Sequence, residues 1–240
     1  MVIWNPWHGC KKISPGCMNC YVYRRDAEFG KDSSIVTKTA GFDLPVKRDR
    51  KREYKLRPGG ECVYTCMTSD FFLEEADVWR AEAWKMIRER SDLHFVIITK
   101  RIHRLHVELP EDWGDGYNNV TICCTCENQN RADYRLSIFM KQPIKHRTII
   151  HEPMLEPINI QKYLAMGKIE QLTCGGESGP EARVCDFSWI INTMQQCMVY
   201  DVPFWFKQTG TKFKKGNRVY FIERKDQMSQ AEKAGVNYRV

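Results

Sequence analysis

At 240 residues the chain has room for one large α/β domain or two small ones, and its 42% hydrophobic and 12% aromatic content can fill a substantial core. A formal charge of +7 suits an anionic partner such as nucleic acid or phosphate, and equally a generally soluble basic protein. There is no secretory signal, lipidation motif or apolar run long enough to span a bilayer, so no membrane partner is expected and the cytoplasm is the expected location. Eleven cysteines are a high and odd number, and in a reducing compartment they do not form a disulfide framework.

In chain order, Val2-Ile3-Trp4 is a candidate first strand. It leads into Cys10-Lys-Lys-Ile-Ser-Pro-Gly-Cys17-Met-Asn-Cys20-Tyr21, which puts three cysteines within eleven residues. Three thiolates on one short loop can hold three corners of a metal cluster and leave the fourth metal open for chemistry. Cys10 and Cys17 are at most ~25 Å apart along the chain. Ser14-Pro15-Gly16 favours a turn that folds the loop back, and Cys17 and Cys20 form a close pair of the kind found in iron–sulfur and zinc sites. Tyr21 to Phe29 reads as a helix stopped by Gly30. Residues 31–60 read as a surface excursion with a basic run from Lys47 to Arg52 and a Pro58-Gly59-Gly60 exit.

From Cys62 the pattern becomes regular. Cys62–Met67 is apolar on both faces, as in a buried parallel strand. A helix is expected over Glu74–Arg90, with Val78, Trp79, Ala83, Trp84 and Ile87 at helical spacing. Strands follow at His94–Ile98 and Asn119–Cys124, then a helix over Gln129–Lys141. Further strands are expected at Arg147–Ile150 and Ile169–Cys174. Asp186 reads as the N-cap of a helix presenting Phe187, Ile190, Ile191, Met194 and Met198. Val202–Phe206 is the last strand. The tail beyond Gly210 is polar and basic with a short run at Val219–Ile222, and its pattern assigns it no place. Cys62, Cys66, Cys123, Cys124, Cys126 and Cys174 sit in apolar runs and read as small core residues.

Strands alternating with helices give right-handed βαβ units. The expected fold is α/β, a partial or complete parallel (β/α) barrel of about six or seven strands, with a doubly wound open sheet as the other possibility. It is organised as one barrel-like domain over 1–210 and a C-terminal extension over 211–240. Ligands bind at the C-terminal ends of such strands. The residues there are Thr68, Ser69 and Asp70, then Thr99, Lys100 and Arg101, then Glu127, Asn128 and Gln129, then His151 and Glu152, then Gly175, Gly176, Glu177 and Ser178, then Lys207 and Gln208. Each has an ordinary alternative: Asp70 as a helix cap, Glu127 as a first-turn acid favoured by the helix dipole, Gly175-Gly176 as a tight turn. His8 is a candidate fourth ligand or a hydrogen-bonded loop residue.

Eight segments carry a family resemblance: WNPWHGCKKISPGCMNCY, FDLP, VYTCMTSDFF, IITKR, CENQNRADYR, HEPMLEP, GGESGPEAR and PFWFKQTG, in order from Trp4 to Gly210. With them the chain resembles a phage-associated protein family of unassigned function, usually grouped with the radical S-adenosylmethionine (radical SAM) enzymes. That family usually lacks cysteine at the positions of Cys66, Cys124 and Cys126, consistent with a core role. The resemblance implies a radical SAM-like partial barrel with a [4Fe–4S] cluster on Cys10, Cys17 and Cys20, in the cytoplasm of a bacterium or phage-infected host. The spacing here is C-x6-C-x2-C, where most radical SAM enzymes have C-x3-C-x2-C. In the superfamily's chemistry, the amine and carboxylate of S-adenosylmethionine chelate the open iron, and an electron from a donor splits the sulfonium bond to start radical chemistry on a substrate. By analogy Ser69 and Asp70 would meet the amino group, Glu127 the ribose, and Gly175, Gly176 and Glu177 the adenosine side. The substrate is unassigned, with nucleic acid or nucleotide among the candidates. A different class of reading is a zinc-stabilised nucleic-acid-binding protein without catalysis, with a closed site on Cys10, Cys17, Cys20 and His8 and the basic segments on phosphates.

Overall fold

A computed structural model describes residues 1–239. Twelve strands and six α-helices follow in chain order: β1 (Val2–Trp4), β2 (Trp7–His8), α1 (Tyr21–Glu28), β3 (Thr37–Lys38), β4 (Val63–Thr65), α2 (Asp77–Glu89), β5 (Phe95–Thr99), β6 (Val120–Thr125), α3 (Gln129–Phe139), β7 (His146–His151), α4 (Gln161–Leu164), β8 (Gln171–Gly175), β9 (Cys185–Asp186), α5 (Phe187–Val199), β10 (Phe204–Gln208), β11 (Lys212–Lys215), β12 (Arg218–Phe221) and α6 (Gln227–Lys233). Seven strands make one parallel sheet in the order β1-β4-β5-β6-β7-β8-β10. The order follows the chain with no reversal, as in a (β/α) barrel and unlike a doubly wound sheet. β1 and β10 are the two ends of the strand order, so the class is a partial parallel barrel. No helix is long and apolar enough to cross a membrane among the described residues.

The residues group into two compact units. The first comprises 1–11, 25–123 and 142–146. Val2 pairs with Val63 and Val63 with Phe95, so β1, β4 and β5 lie in register. Along β4 and β5 burial alternates: Val63, Thr65, Phe95, Ile97 and Thr99 are buried, while Tyr64, Val96 and Ile98 are only half-buried. The run from Cys62 is thus covered on one face and accessible on the other, and Cys62 itself precedes the strand and is half-exposed rather than core. Over the covered face lies an aromatic cluster in which Trp4 meets Phe95 at 5.8 Å, Phe71 meets Trp84 at 4.9 Å and Trp84 meets Trp113 at 5.0 Å between ring centroids. Such edge-on pairs add to the burial of large apolar rings. The excursion over 31–60 is tied down. β3 pairs with β2, Phe42 and Pro45 are buried, and the buried Arg90 guanidinium donates to the carbonyls of Pro45 and Leu56.

The second unit comprises 12–24, 124–141 and 147–239 among the described residues. Leu172 is flanked by Ile149 and Phe204, which puts three apolar residues in one row across β7, β8 and β10. Asp186 caps α5 by accepting from the Ser188 N–H at 2.9 Å, as its position predicts. The tail is ordered structure: β11 pairs antiparallel with β12 and parallel with β9, and α6 follows.

Candidate functional site

In the first unit the strand ends are aimed by local backbone. Cys66, just past β4, adopts φ +59, the left-handed region that bends a chain sharply. The bend brings Ser69 and Asp70 back over the end of the sheet, where the Ser69 hydroxyl donates to the Gly9 carbonyl. The Asp70 carboxylate accepts from Thr99 Oγ1 at 2.7 Å, the Lys100 N–H at 2.9 Å and the Phe72 N–H at 3.0 Å. It also faces Arg101 Nη1 at 3.4 Å. Asp70 therefore serves its own turn and the end of β5 and does not cap α2, whose first turn begins at Asp77. Arg101 in turn donates to the Lys11 carbonyl at 2.6 Å and stands 3.7 Å from the Cys10 sulfur. A guanidinium beside a thiol favours its thiolate form. The Cys10 N–H donates to the Ser33 carbonyl at 2.7 Å. Gly9 has φ +92, and a Cβ there would fall 2.3 Å from the Ile35 carbonyl oxygen, so this approach to Cys10 requires glycine.

His8 Nε2 lies 2.8 Å from the Asp26 carboxylate, which also accepts from the Ser33 hydroxyl. Burial pushes the Asp26 carboxyl up, but the hydrogen bonds from Ser33 and His8 outweigh it and hold it below its ordinary range. As placed, His8 is a hydrogen-bonded residue of β2.

In the second unit two glutamates grip the cysteine turn. Pro15–Cys17 forms a 3-10 turn, and Cys20 immediately precedes α1. Glu127 is 0% exposed; its Oε1 accepts from the Gly16 N–H at 3.1 Å and its Oε2 from Arg135 at 2.7 Å. A Cβ on Gly16 would come within 3.0 Å of the Glu127 carboxyl carbon, so glycine lets the turn sit directly on the acid. Asn128, not Glu127, caps α3. Glu177 accepts from Asn19 Nδ2 at 3.0 Å and from Arg183 through its N–H and Nε at 2.9 Å and Nη2 at 2.6 Å. Arg183 also donates to the Pro15 carbonyl at 3.0 Å. Burial raises the Glu177 carboxyl, and the donors from Arg183 and Asn19 more than offset this, so it stays below its ordinary value.

Glu152, after β7, pairs with Lys207 at 2.8 Å and accepts from Gln208, bringing together two candidates from separate strands. Gly175 packs beneath it: a Cβ there would be 3.0 Å from the Glu152 carboxyl carbon. Gly176 lies against the next strand, where a Cβ would meet the Thr209 carbonyl oxygen at 2.1 Å. Lys100 offers its backbone N–H to Asp70. Arg101, Arg135, Arg183 and Asn19 hold the acids and the loop together, and of these only Arg101 stood at an expected strand end. Arg135 and Arg183 had a usable signal, lying 8 and 6 residues after the strand-end acids they pair with. His151, expected at a strand end beside Glu152, is fully buried, both ring nitrogens lack a hydrogen-bond partner, and burial pushes its pKa down to about 3 against the opposing charge of Glu127.

The eleven cysteines form no disulfide, and they divide by burial. Cys10, Cys17, Cys20 and Cys62 are half-exposed, and the other seven are buried. Burial pushes the thiols of Cys66, Cys126 and Cys174 well above the ordinary range and those of Cys185 and Cys197 up to about 12. The core thiols are therefore inert, and the loop thiols are within reach of a soft metal. As placed, no three His, Cys, Asp or Glu side chains among the described residues form a ready metal-ion site.

The chain belongs to the family described as protein of unknown function (DUF5131), whose model matches residues 2–238. No curated protein and no solved structure matches it.

Proposed function

We propose that this member of the DUF5131 family is an iron–sulfur enzyme of radical SAM type, in line with the phage-associated, radical SAM-like grouping that its motifs resemble. Cys10, Cys17 and Cys20 would hold a [4Fe–4S] cluster by three of its irons. When bound, that cluster supplies the electron that cleaves S-adenosylmethionine at its sulfonium. The observation carrying the reading is the division of the thiols: the three on the motif loop are accessible, whereas nearly all the others are sealed in the core. The donor set fits such a cluster chemically, and the sulfurs would be drawn into place as it assembles, as metal binding commonly completes its own site.

The chain's own residues do the holding. Arg101 fixes the Lys11 carbonyl and faces the Cys10 sulfur. Glu127 and Glu177 hold the turn that carries Cys17 and the Asn19 that precedes Cys20. With these acids spent on the loop, their part is to position the thiols. Ser69, the peptide at Gly175-Gly176 and the Glu152–Lys207 pair then become the candidates for contacts to the cofactor's polar groups. Reductant-dependent cleavage of S-adenosylmethionine by anaerobically reconstituted protein, abolished by Cys17→Ala, tests the reading. Absence of cleavage by protein that carries the full complement of iron overturns it.

A further inference from the structure

The small sheet β9-β11-β12 in the second unit takes no part in holding the cysteine turn except at its root, where the Thr211 N–H donates to the Glu177 carbonyl at 2.8 Å. Strand alternation sorts its side chains. On one face Phe213 is buried, 5.7 Å from Phe187 and 5.8 Å from Phe206 between ring centroids. On the other face Lys212 stands opposite Phe221 and Lys214 opposite Val219. Every residue of β12 is exposed, and Phe221 is 75% exposed. Phe213 already fills the core beneath this hairpin, so Phe221 serves no packing role.

The charge around it is one-sided. From 212 to 226 the chain carries Lys212, Lys214, Lys215, Arg218, Arg224 and Lys225 against Glu223 and Asp226. Lys214 is taken by Asp186 at 2.9 Å and Lys225 by Glu223 at 2.8 Å. Lys212, Arg218 and Arg224 have no ion-pair partner among the described residues. Arg218 lies over the Tyr220 ring at 5.8 Å.

We propose that this hairpin face binds single-stranded nucleic acid, with Phe221 stacking on a base and Lys212 and the exposed Arg224 just beyond β12 following the phosphates. An exposed aromatic ring accepts any unpaired base, and flexible cations beside it release counterions from the backbone. In a duplex the bases are already stacked on one another, so Phe221 has nothing to meet. A protein strand is the poorer partner, because the edge strand β12 is only four residues long and carries a charged Arg218, and both features oppose sheet extension. The proposal stands without the cluster, since it uses none of the cysteines.

The test is fluorescence anisotropy of labelled oligothymidylate, oligouridylate and a duplex of equal length, titrated with the full chain at several salt concentrations. Both single strands are expected to bind, more tightly than the duplex. Phe221→Ala should weaken binding about tenfold, and Phe221→Tyr, which keeps the ring, should not. Lys212→Gln combined with Arg224→Gln should make the logarithmic salt dependence shallower by about 1.4, at about 0.7 for each phosphate no longer neutralised. Circular dichroism confirms the fold of each variant. The proposal is overturned if the chain binds neither single strand, prefers the duplex, or binds equally well with Phe221→Ala. A change from dimer to monomer on Phe221→Ala, seen by sedimentation without loss of an oligonucleotide complex, would instead assign the face to a second copy of the chain.

Discussion

Glu127 and Arg135 form an ion pair from which water is excluded, and the same carboxylate carries the Gly16 peptide. Removing one member of a buried pair leaves the other charge uncompensated, which typically costs about 3–5 kcal/mol. Glu127→Ala should therefore lower unfolding stability by about that much in denaturant titration, and adding Arg135→Met should restore much of it. A near-neutral Glu127→Ala would show that the pair does not carry the turn. His151 gives a pH signature. Its folded pKa of about 3 lies below the ordinary 6.5, so between those values the unfolded chain binds the extra proton and stability rises with pH. Stability should fall as the pH drops below about 6.5, and His151→Leu should flatten that fall; an unchanged slope would place the titration elsewhere. At this scale the sequence showed the acids at the strand ends and Lys207, the partner of Glu152, but not Arg135 or Arg183. Arg135 sits within a helix, where an arginine ordinarily reads as solvent-facing, and only the fold turns it inward onto Glu127.

The parallel strands and the three long helices were legible as elements because their apolar residues recur at periods that burial enforces. α2, α3 and α5 fall within or at the edges of the segments their spacing predicts. The β11–β12 hairpin was not legible, because a strand that buries a single side chain, Phe213, leaves no alternation to read. The excursion over 31–60 looked like plain surface because what ties it down is Arg90, a residue from a helix end that donates to backbone carbonyls and leaves no side-chain pattern. The cysteine loop and the core strands differ in thiol access, and this can be measured directly. Brief alkylation of the native, metal-free chain followed by mass spectrometry should label Cys10, Cys17, Cys20 and Cys62 and spare the seven buried cysteines. Rapid labelling of Cys126 or Cys174 would contradict the core assignment.

For the whole molecule, strand order followed from the alternation of strands and helices, and an open parallel sheet in chain order is the result. Closure could not be read from the sequence, because pairing of the first and last strands depends on tilt and stagger, which hydrophobic periodicity does not encode. The three-cysteine motif was visible at once from its spacing. The scaffold that holds it comes from residues up to 168 positions away, as in the bond from Arg183 to Pro15, and no local pattern announces such a long-range bond. What the scaffold is for turns on whether the loop thiols take up iron. The most direct measurement is iron and sulfide content, with the visible spectrum, of protein reconstituted without oxygen, set beside Cys17→Ala. About four irons per chain with a thiolate-to-iron absorption band, lost in the variant, is the result predicted for a [4Fe–4S] protein. A colourless protein that retains no iron, or a variant that retains as much as the wild type, would contradict it.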